Sequence, residues 1–268
     1  MDVIRDIRVW NAESQNPNAI YLVTDPVASV DELLLAIEAA GQNMWPVDEL
    51  PFDLIYRGQD TGSPLVPRQI NGRHENLQIK LQKMLSLCRD AVGINRSDHE
   101  IYFMMRHAGL PSHLLDWSWR WEIALWFAIH DLNGKLKNGD SSLWVLRPIL
   151  RDMQGTEVNG ESVNPVFFRA DQQTCTRSQK QDGCAYQLRF EKRGDVILPV
   201  PMELDSLYRE RLLKIPLSVE MSCESVERQL LNLRPDLMKL LCDDGVIPKL
   251  VVEECLRIFN DREESYHE

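Results

Sequence analysis

Side chains that could do chemistry are concentrated in one short stretch of this sequence, residues 107–118, which reads HAGLPSHLLDWS. His107 and His113 carry imidazoles suited to general acid or base catalysis. Ser112 adds a hydroxyl, and Asp116 adds the carboxylate of the stretch. Gly and Pro interrupt the stretch and no helical period runs through it, so we predict an ordered loop or a short extended turn.

A buried helix is predicted directly after this stretch and would hold it in place. Residues 119–131 are apolar around most of a helical circumference, which is typical of a helix surrounded by other elements. Ser118 is a candidate N-cap acceptor, and Glu122 would lie near the positive end of the helix dipole. A polar loop anchored to a buried helix is a common mount for a binding site. The structural alternative is that Asp116 caps this helix or pairs with Arg120.

An arginine lies upstream, where a predicted strand ends at Tyr56. The planar guanidinium of Arg57 can hold a phosphate or carboxylate through two parallel hydrogen bonds, and Gly58 would let a ligand approach the backbone closely. The alternative is a structural ion pair between Arg57 and an acidic residue such as Asp116. The Gly- and Pro-rich loop that follows is expected to form one wall of a cleft, with Gln59 and Arg68 on it.

A third polar segment runs from Arg177 to Tyr186 and contains Gln181 directly before a short predicted strand. We expect this segment, the strand end at Arg57 and the 107–118 stretch to meet in one cleft, because each is a polar break between apolar elements.

The first two of these motifs, in this order, resemble the hallmarks of the FRG-domain family. Residues 56–59 resemble the aromatic-Arg-Gly motif for which the family is named, and residues 107–118 resemble its second hallmark, H-x-G-L-P-T-R-L-L-D-W-T. Ala124–Ala128 is similar to the A-L-x-F-A that follows. Ser112 stands where Thr is usual and keeps the hydroxyl, whereas His113 stands where Arg is usual and removes a fixed charge. The candidate ligand-binding residues are Arg57, Gly58, Gln59, Arg68, Ser112, His113, Trp117, Ser118 and Arg177, and the candidate catalytic residues are Asp116, His107 and Gln181.

The order of these features is also similar to that of ADP-ribosyltransferases, which use Arg, Ser or Thr, and Glu. The analogy implies that Arg57 holds a pyrophosphate and that the ligand or cofactor is NAD or another nucleotide. It would suit a toxin or phage-defence effector. Gln181 stands at the position of the Glu, and because an amide carries no charge, Asp116 or Glu122 would have to stabilise the developing cation.

Two other functional classes stay open. One is a non-catalytic module that senses a ligand or binds a protein partner. The other is a nuclease or phosphotransfer enzyme that uses His107 and His113 as acid and base and Arg57 as a phosphate clamp.

Composition narrows the broad class of protein. Lys and Arg number 30 against 41 Asp and Glu, a formal charge of −11 in 268 residues, which argues against broad nonspecific binding to nucleic acid. The six cysteines form no Cys-x-x-Cys pair, no metal-ligand spacing is evident, and no apolar run approaches the roughly 20 residues that cross a bilayer. We therefore expect a soluble cytoplasmic protein with free thiols and no membrane partner.

Hydrophobic periodicity predicts an α+β fold in which a mainly antiparallel sheet is flanked by helices, with an ADP-ribosyltransferase-like arrangement as one form of it. The expected organisation is N-terminal strands at 1–28, an FRG-like core at 29–195, a strand and helix extension packed on the core at 196–260, and a tail at 261–268. Residues 151–175 are polar and irregular, which is typical of a flap. The predicted helices cover residues 29–41, 74–92, 97–107, 119–131, 224–233, 235–242 and 248–259.

Overall fold

The computed structural model of the protein describes residues 7–10, 20–23, 25–43, 52–60, 62–70, 76–93, 95–131, 133–137, 139–154, 156–158, 161–163, 167–169, 181–193, 196–208, 211–237 and 246–260. Its strands are β1 (Ile7–Trp10), β2 (Ile20–Val23), β3 (Ile55–Asp60), β4 (Leu114–Ser118), β5 (Ser141–Leu146), β6 (Thr156–Val158), β7 (Glu161–Val163), β8 (Phe167–Arg169), β9 (Gly183–Gln187), β10 (Phe190–Arg193), β11 (Val196–Pro199) and β12 (Leu212–Leu217). Its helices are α1 (Val30–Asn43), α2 (Leu77–Val92), α3 (Asp98–His107), α4 (Trp121–Ile129), α5 (Leu150–Gln154), α6 (Glu224–Leu233) and α7 (Lys249–Asn260).

One sheet of eight strands organises the described part of the chain, in the order β1-β2-β12-β5-β3-β4-β9-β8. Every neighbouring pair is antiparallel except β12 with β2, which run parallel. The strands β10 with β11 and β6 with β7 form two separate two-stranded sheets. The predicted α+β fold with a mainly antiparallel sheet is confirmed, and within it the N-terminal strands β1 and β2 pair antiparallel.

Both faces of the sheet are covered where β3 and β5 lie. All six residues of β5 are buried, and successive side chains point to opposite faces because the side-chain period of a strand is two. Leu143 and Val145 pack with α1 and α4 on one face, whereas Trp144 and Leu146 pack with the 62–70 loop on the other. A strand that is buried on both sides does not alternate between polar and apolar residues, and β5 accordingly has four consecutive apolar residues, LWVL, after its two buried serines.

The stretch predicted as a loop between residues 107 and 118 contains a strand instead, because its second half is β4. Asp116 pairs with Ala185 of β9, far along the chain, and this partner cannot be read from local sequence. The following helix α4 begins at Trp121, two residues later than predicted, since Arg120 is the extended N-cap residue. Helix α1 extends to Asn43, beyond the Gly expected to close it.

The C-terminal segment contributes more to the sheet than the expected extension would. Its strand β12 lies between β2 and β5, near the middle of the sheet. The described parts of the expected flap are α5 and the strands β6, β7 and β8 rather than irregular chain. Most of the predicted 235–242 helix and the whole 261–268 tail lie outside the described residues. A search of the described helices finds none that combines the length and apolar character of a membrane span.

Candidate functional site

Two arginines and one aspartate form the polar cluster of the site. Arg57 on β3 donates from Nη1 to the backbone oxygen of Asp116 on β4, at 2.6 Å. Arg106 in the last turn of α3 donates from Nε to Oδ2 of Asp116, at 2.8 Å. The structure thus brings together Arg57, Asp116 and Arg106, of which Arg106 was not among the residues named from the sequence.

The position of Arg57 follows from how β3 and β4 separate. Their register contains one residue pair, Tyr56 with Ser118, so the carbonyl of Asp116 has no strand partner on its β3 side. The guanidinium of Arg57 fills this gap in the ladder and satisfies that carbonyl. A buried carbonyl without a donor would be costly, and the bond therefore fixes where Arg57 points.

The charges of the cluster do not cancel. Arg106 pairs with the carboxylate of Asp116, whereas Arg57 bonds only the backbone oxygen of that residue, so the three side chains together carry one positive charge in excess. Burial is the main cause that lowers the pKa of Arg57 to about 10; Asp116 raises that pKa and Arg106 lowers it further. Arg57 stays protonated near neutral pH, but in a partly desolvated position where an anion would be attracted strongly.

The hydrogen-bonding capacity of the cluster is also incomplete. Oδ1 of Asp116 is buried and has no hydrogen-bond partner among the described residues, although its side chain as a whole is 29% exposed. The side chain of Arg106 is 16% exposed. Buried carboxylate oxygens are nearly always satisfied, so this one is a place where a donor from outside the chain would fit.

A wall of this cluster is formed by the loop of residues 62–70, as expected. Gln59 accepts from Arg57 Nε at 3.3 Å and donates to the backbone oxygen of Ser63 at 2.7 Å. Gln69 accepts from Arg106 Nη1 at 2.9 Å. Arg68 begins the short 3-10 helix of this loop and is exposed, so its charge is available at the rim.

Gly58 has a different neighbour from the ligand expected there. A Cβ atom at this position would lie 1.9 Å from the backbone oxygen of Ala124 and 2.5 Å from the backbone nitrogen of Ala128, both on α4. Glycine is therefore required because α4 lies directly on β3. The glycine of the first motif and the alanines of the second are two sides of one contact, and Gly58 sits apart from the Arg57 guanidinium.

Ser112 and His113 lie in the core rather than at the cluster. Ser112 is fully buried, and its hydroxyl accepts from the backbone of Leu114 at 3.2 Å. His113 packs against Tyr102 with ring centroids 4.0 Å apart. Burial, and secondarily the nearby His99, lowers the pKa of His113 to about 4, so this histidine is neutral at physiological pH. A neutral, 8% exposed imidazole is not placed to exchange protons with a bound substrate.

The end of β4 is a structural junction. Trp117 is buried in the hydrophobic cluster on the face shared with Trp144. The Ser118 hydroxyl donates to the backbone oxygen of Gln181 at 2.6 Å and accepts from Arg120 N at 3.0 Å, so it joins β9 to the start of α4. Gln181 is buried. These contacts give Ser118 and Gln181 a role in holding the strands together.

The last four residues named from the sequence as candidates for the site or its ion pairs are Arg120, Glu122, His107 and Arg177. Arg120 pairs with Glu122, at 3.2 Å, rather than with Asp116. Glu122 is buried on α4 and raises the pKa of Tyr56 together with burial, which puts it on the opposite face of the sheet from Arg57. His107 ends α3 directly after Arg106 and is partly exposed. Arg177 lies outside the described residues.

Arg106 could have been found from one local signal. It lies in the last turn of a predicted helix, next to the first residue of the second motif, so its side chain starts beside the loop that ends in Asp116. Its pairing with Asp116 nevertheless depends on the turn between α3 and β4, where Gly109 takes a positive φ of 77°. No group of three or more potential metal ligands occurs within the described parts of the chain.

Comparison with known proteins supports the family and leaves function open. The FRG domain model matches residues 53–136, which confirms the resemblance drawn from the two motifs. The match includes β3, α2, α3, β4 and α4, and with them Arg57, Arg106 and Asp116. No curated protein and no solved structure matches the chain.

Proposed function

From the FRG domain at residues 53–136, we propose that this protein binds an anionic small molecule of nucleotide type at Arg57, Arg106 and Asp116. The observation that carries the proposal is the unbalanced cluster: Arg106 bonds the Asp116 carboxylate, Arg57 bonds the Asp116 backbone oxygen, and the buried Oδ1 of Asp116 has no partner within the part of the chain that the structure describes. A ligand that supplies both an anion and a hydrogen-bond donor would complete this cluster.

The cations select the anionic part of the ligand. Phosphate and carboxylate oxygens match the planar donor geometry of guanidinium, and hydrogen bonds between charged groups are about twice as strong as neutral ones. Arg57 and Arg106 would bind a phosphate or pyrophosphate, and exposed Arg68 on the adjacent loop would add a long-range attraction. This local excess of positive charge contrasts with the formal charge of −11 on the whole chain.

The carboxylate selects the second part of the ligand. Oδ1 of Asp116 can only accept a hydrogen bond when it is ionised, so its complement is a hydroxyl or an amide N–H. A ribose hydroxyl next to a phosphate offers this donor, as in ADP-ribose or NAD. Inorganic phosphate alone does not offer it at neutral pH to the same degree.

ADP-ribosyl transfer is the finer form of this proposal. Transfer would require a negative charge beside the developing oxocarbenium ion, and Gln181 cannot supply one. Glu122 is on the other face of the sheet from Arg57, so Asp116 is the carboxylate that would serve. One carboxylate oxygen of Asp116 already accepts a hydrogen bond from Arg106, so its negative charge is partly neutralised. This arrangement favours binding and sensing over rapid turnover.

Calorimetric titration of the purified protein with ADP-ribose, NAD and inorganic pyrophosphate tests the proposal. Arg106→Gln is expected to weaken binding by roughly 10-fold or more, because a charge-assisted hydrogen bond is lost. Arg257→Gln, in the exposed pair with Glu254, is the matched control and should leave binding unchanged. Equal affinity of the wild type and Arg106→Gln, or no binding of any of the three at millimolar concentration, would overturn the proposal.

Asp116→Asn separates the two parts of the ligand. If Oδ1 accepts from a ribose hydroxyl, the variant should bind ADP-ribose more weakly and pyrophosphate more tightly, since it removes an acceptor charge and also a repulsion. If both ligands bind more tightly, Asp116 is only a counterion of the two arginines and the nucleotide part of the proposal fails. Release of nicotinamide from NAD by the wild type, lost in Asp116→Asn, would establish turnover.

A further inference from the structure

Two buried thiols meet where the C-terminal helix packs on α2. Sγ of Cys88 and Sγ of Cys255 are 3.7 Å apart, and both residues are fully buried. Cys88 belongs to the buried face of α2, and within Lys249–Asn260 Cys255 is the residue of α7 that is buried completely. The centre of this helix interface is therefore a thiol against a thiol.

Helix α7 packs along one side on α2, and the rest of its surface is exposed or only partly buried. Lys80 Nζ of α2 donates to the backbone oxygen of Phe259, at 3.2 Å. Val251, Val252 and Ile258 are only partly buried against the cluster that contains Cys88 and Cys255. Leu250 at the start of α7 is 79% exposed. A helix held mainly along one side opens more readily than the sheet, so its interface is where a reagent from solvent could enter.

We propose that Cys88 and Cys255 are a reversible redox site, at which a low-molecular-weight disulfide such as oxidised glutathione converts the thiol pair into a disulfide that locks α7 onto α2. The two sulfurs are in van der Waals contact at 3.7 Å, and a disulfide would bring them to about 2.05 Å. The thiol of Cys223 lies outside this pair, 2.9 Å from the hydroxyl of Ser225.

The reaction balances in two steps. The Cys255 thiolate attacks one sulfur of oxidised glutathione, forms a mixed disulfide and releases one glutathione thiolate. Cys88 then loses its proton to solvent and attacks Sγ of Cys255, which releases the second glutathione. The two protein thiols are oxidised by two electrons, and the small disulfide is reduced to two thiols.

The order of these steps is set by the contact between the sulfurs. With the Cys88 S–H as donor, the contact stabilises a thiolate at Cys255 and lowers the pKa of Cys255, whereas the same contact and burial raise the pKa of Cys88. Cys255 is thus the attacking group and Cys88 the resolving one. In Cys88→Ser the mixed disulfide should accumulate at Cys255, because the resolving thiol is missing.

The test is oxidation of the folded full-length chain by oxidised glutathione, followed by acid quenching, alkylation of free thiols and peptide mass mapping. The expected result is a Cys88–Cys255 cross-link and a melting temperature higher by on the order of 10 °C than that of the reduced protein, reversed by dithiothreitol. Cys223→Ser removes a partly exposed thiol outside the pair and should retain the cross-link.

The variants complete the test. Cys255→Ser should lose both the cross-link and the rise in melting temperature, and Cys88→Ser should lose the cross-link and carry glutathione at Cys255. The proposal is overturned if Cys88 and Cys255 of the wild-type protein are both recovered as alkylated thiols, or if either is linked to another cysteine instead. Because this outcome is read from the wild-type chain, it holds even if a variant fails to fold.

Discussion

Two clusters of arginine and aspartate in this molecule differ in whether their charges and hydrogen bonds are complete. In the first, Arg211 donates to Asp152 from both terminal guanidinium nitrogens, Nη1 at 2.7 Å and Nη2 at 3.2 Å, and each side chain is 6% exposed. In the second, Arg57 bonds the backbone oxygen of Asp116 and Arg106 bonds its carboxylate; this side chain is 29% exposed, and its Oδ1 has no partner among the residues that the structure describes. One cluster is closed and neutral, and the other is open and positive.

The completeness of the first cluster explains its role. Tyr186 on β9 donates its hydroxyl to Asp152 Oδ2 at 2.5 Å, and the backbone of Ile149 donates to the same oxygen at 3.1 Å. Arg211 also donates to the backbone oxygens of Arg147 and Leu207. These contacts tie α5 and β9 to the start of β12. A buried ion pair with every group satisfied is a lock between elements, whereas a pair with open capacity has room for a ligand.

The largest effect that would sharpen this contrast is expected from Asp152→Asn. It leaves the Arg211 guanidinium buried without its counterion, and the free energy of unfolding should fall by about 3–5 kcal/mol. Urea denaturation followed by circular dichroism measures this change. Glu254→Gln, in the exposed pair with Arg257, is the control and should leave the free energy of unfolding nearly unchanged. A loss below about 1 kcal/mol for Asp152→Asn would remove the description of this cluster as a lock.

The second largest effect on stability is expected from Gly58→Ala. This variant tests whether Gly58 serves the packing of α4 rather than the binding cluster at Arg57. The added methyl group would overlap the backbone of α4, so we expect a loss of about 3 kcal/mol in the free energy of unfolding. Gly62→Ala is the matched control, since a Cβ there meets no heavy atom within 4 Å. If Gly58→Ala keeps wild-type stability but loses ligand binding, the backbone at Gly58 belongs to the binding site after all.

The third effect is a dependence of the free energy of unfolding on pH that originates in His113, which is buried in the core rather than at the Arg57, Arg106 and Asp116 cluster. Its pKa of about 4 in the folded protein lies below the ordinary 6.5, so the unfolded chain binds the proton first as the pH falls. The contribution of His113 to the free energy of unfolding is fully present above pH 6.5. As the pH falls from 6.5 towards 4, this contribution is lost by up to about 1.4 kcal/mol per pH unit.

His113→Phe isolates this contribution, because Phe can pack on Tyr102 and does not titrate. The quantity to compare is the slope of unfolding free energy against pH between 6.5 and 4, which should be shallower in the variant. Equal slopes for the two proteins would mean that His113 is accessible to protons in the folded state, and His113 would again be a candidate residue of the binding site.

The smallest effect on stability is expected from Arg57→Lys, which tests the open cluster itself. Lys keeps the charge but cannot bond both the Asp116 carbonyl and Gln59, so the free energy of unfolding should fall by about 1 kcal/mol. The affinity for ADP-ribose should fall by roughly 10-fold or more, because the planar donor pair is lost. A stability loss as large as that of Asp152→Asn, without a change in ADP-ribose binding, would erase the contrast between the two clusters.

Local sequence was sufficient to predict several features of this fold. Helix α3 spans Asp98–His107, where a helix was predicted over residues 97–107, and α6 begins at Glu224 and ends at Leu233 as the periodicity indicates. The antiparallel sheet followed from short apolar segments between turn residues. Each of these features is decided by residues close together in the chain.

Features that depend on distant partners could not be predicted. The strand β4 forms because β9 pairs with it, and the residues LLDWS alone do not distinguish a strand from a loop. The same limit applies to Gly58, which is required by Ala124 and Ala128 of α4. Arg57 and Asp116 were found because their side chains are unusual at their positions, whereas Arg106 resembled any basic residue in the last turn of a helix.

The position of β12 in the sheet has a consequence for how the chain folds during synthesis. Leu213 of β12 pairs with Tyr21 of β2 and with Val145 of β5, so the last of the described strands inserts between two strands made much earlier. Until β12 leaves the ribosome, β2 and β5 each have an open edge that can pair with another chain. Sheets closed by such long-range contacts form slowly. A chaperone that shields these edges on the nascent chain would therefore raise the yield of folded protein.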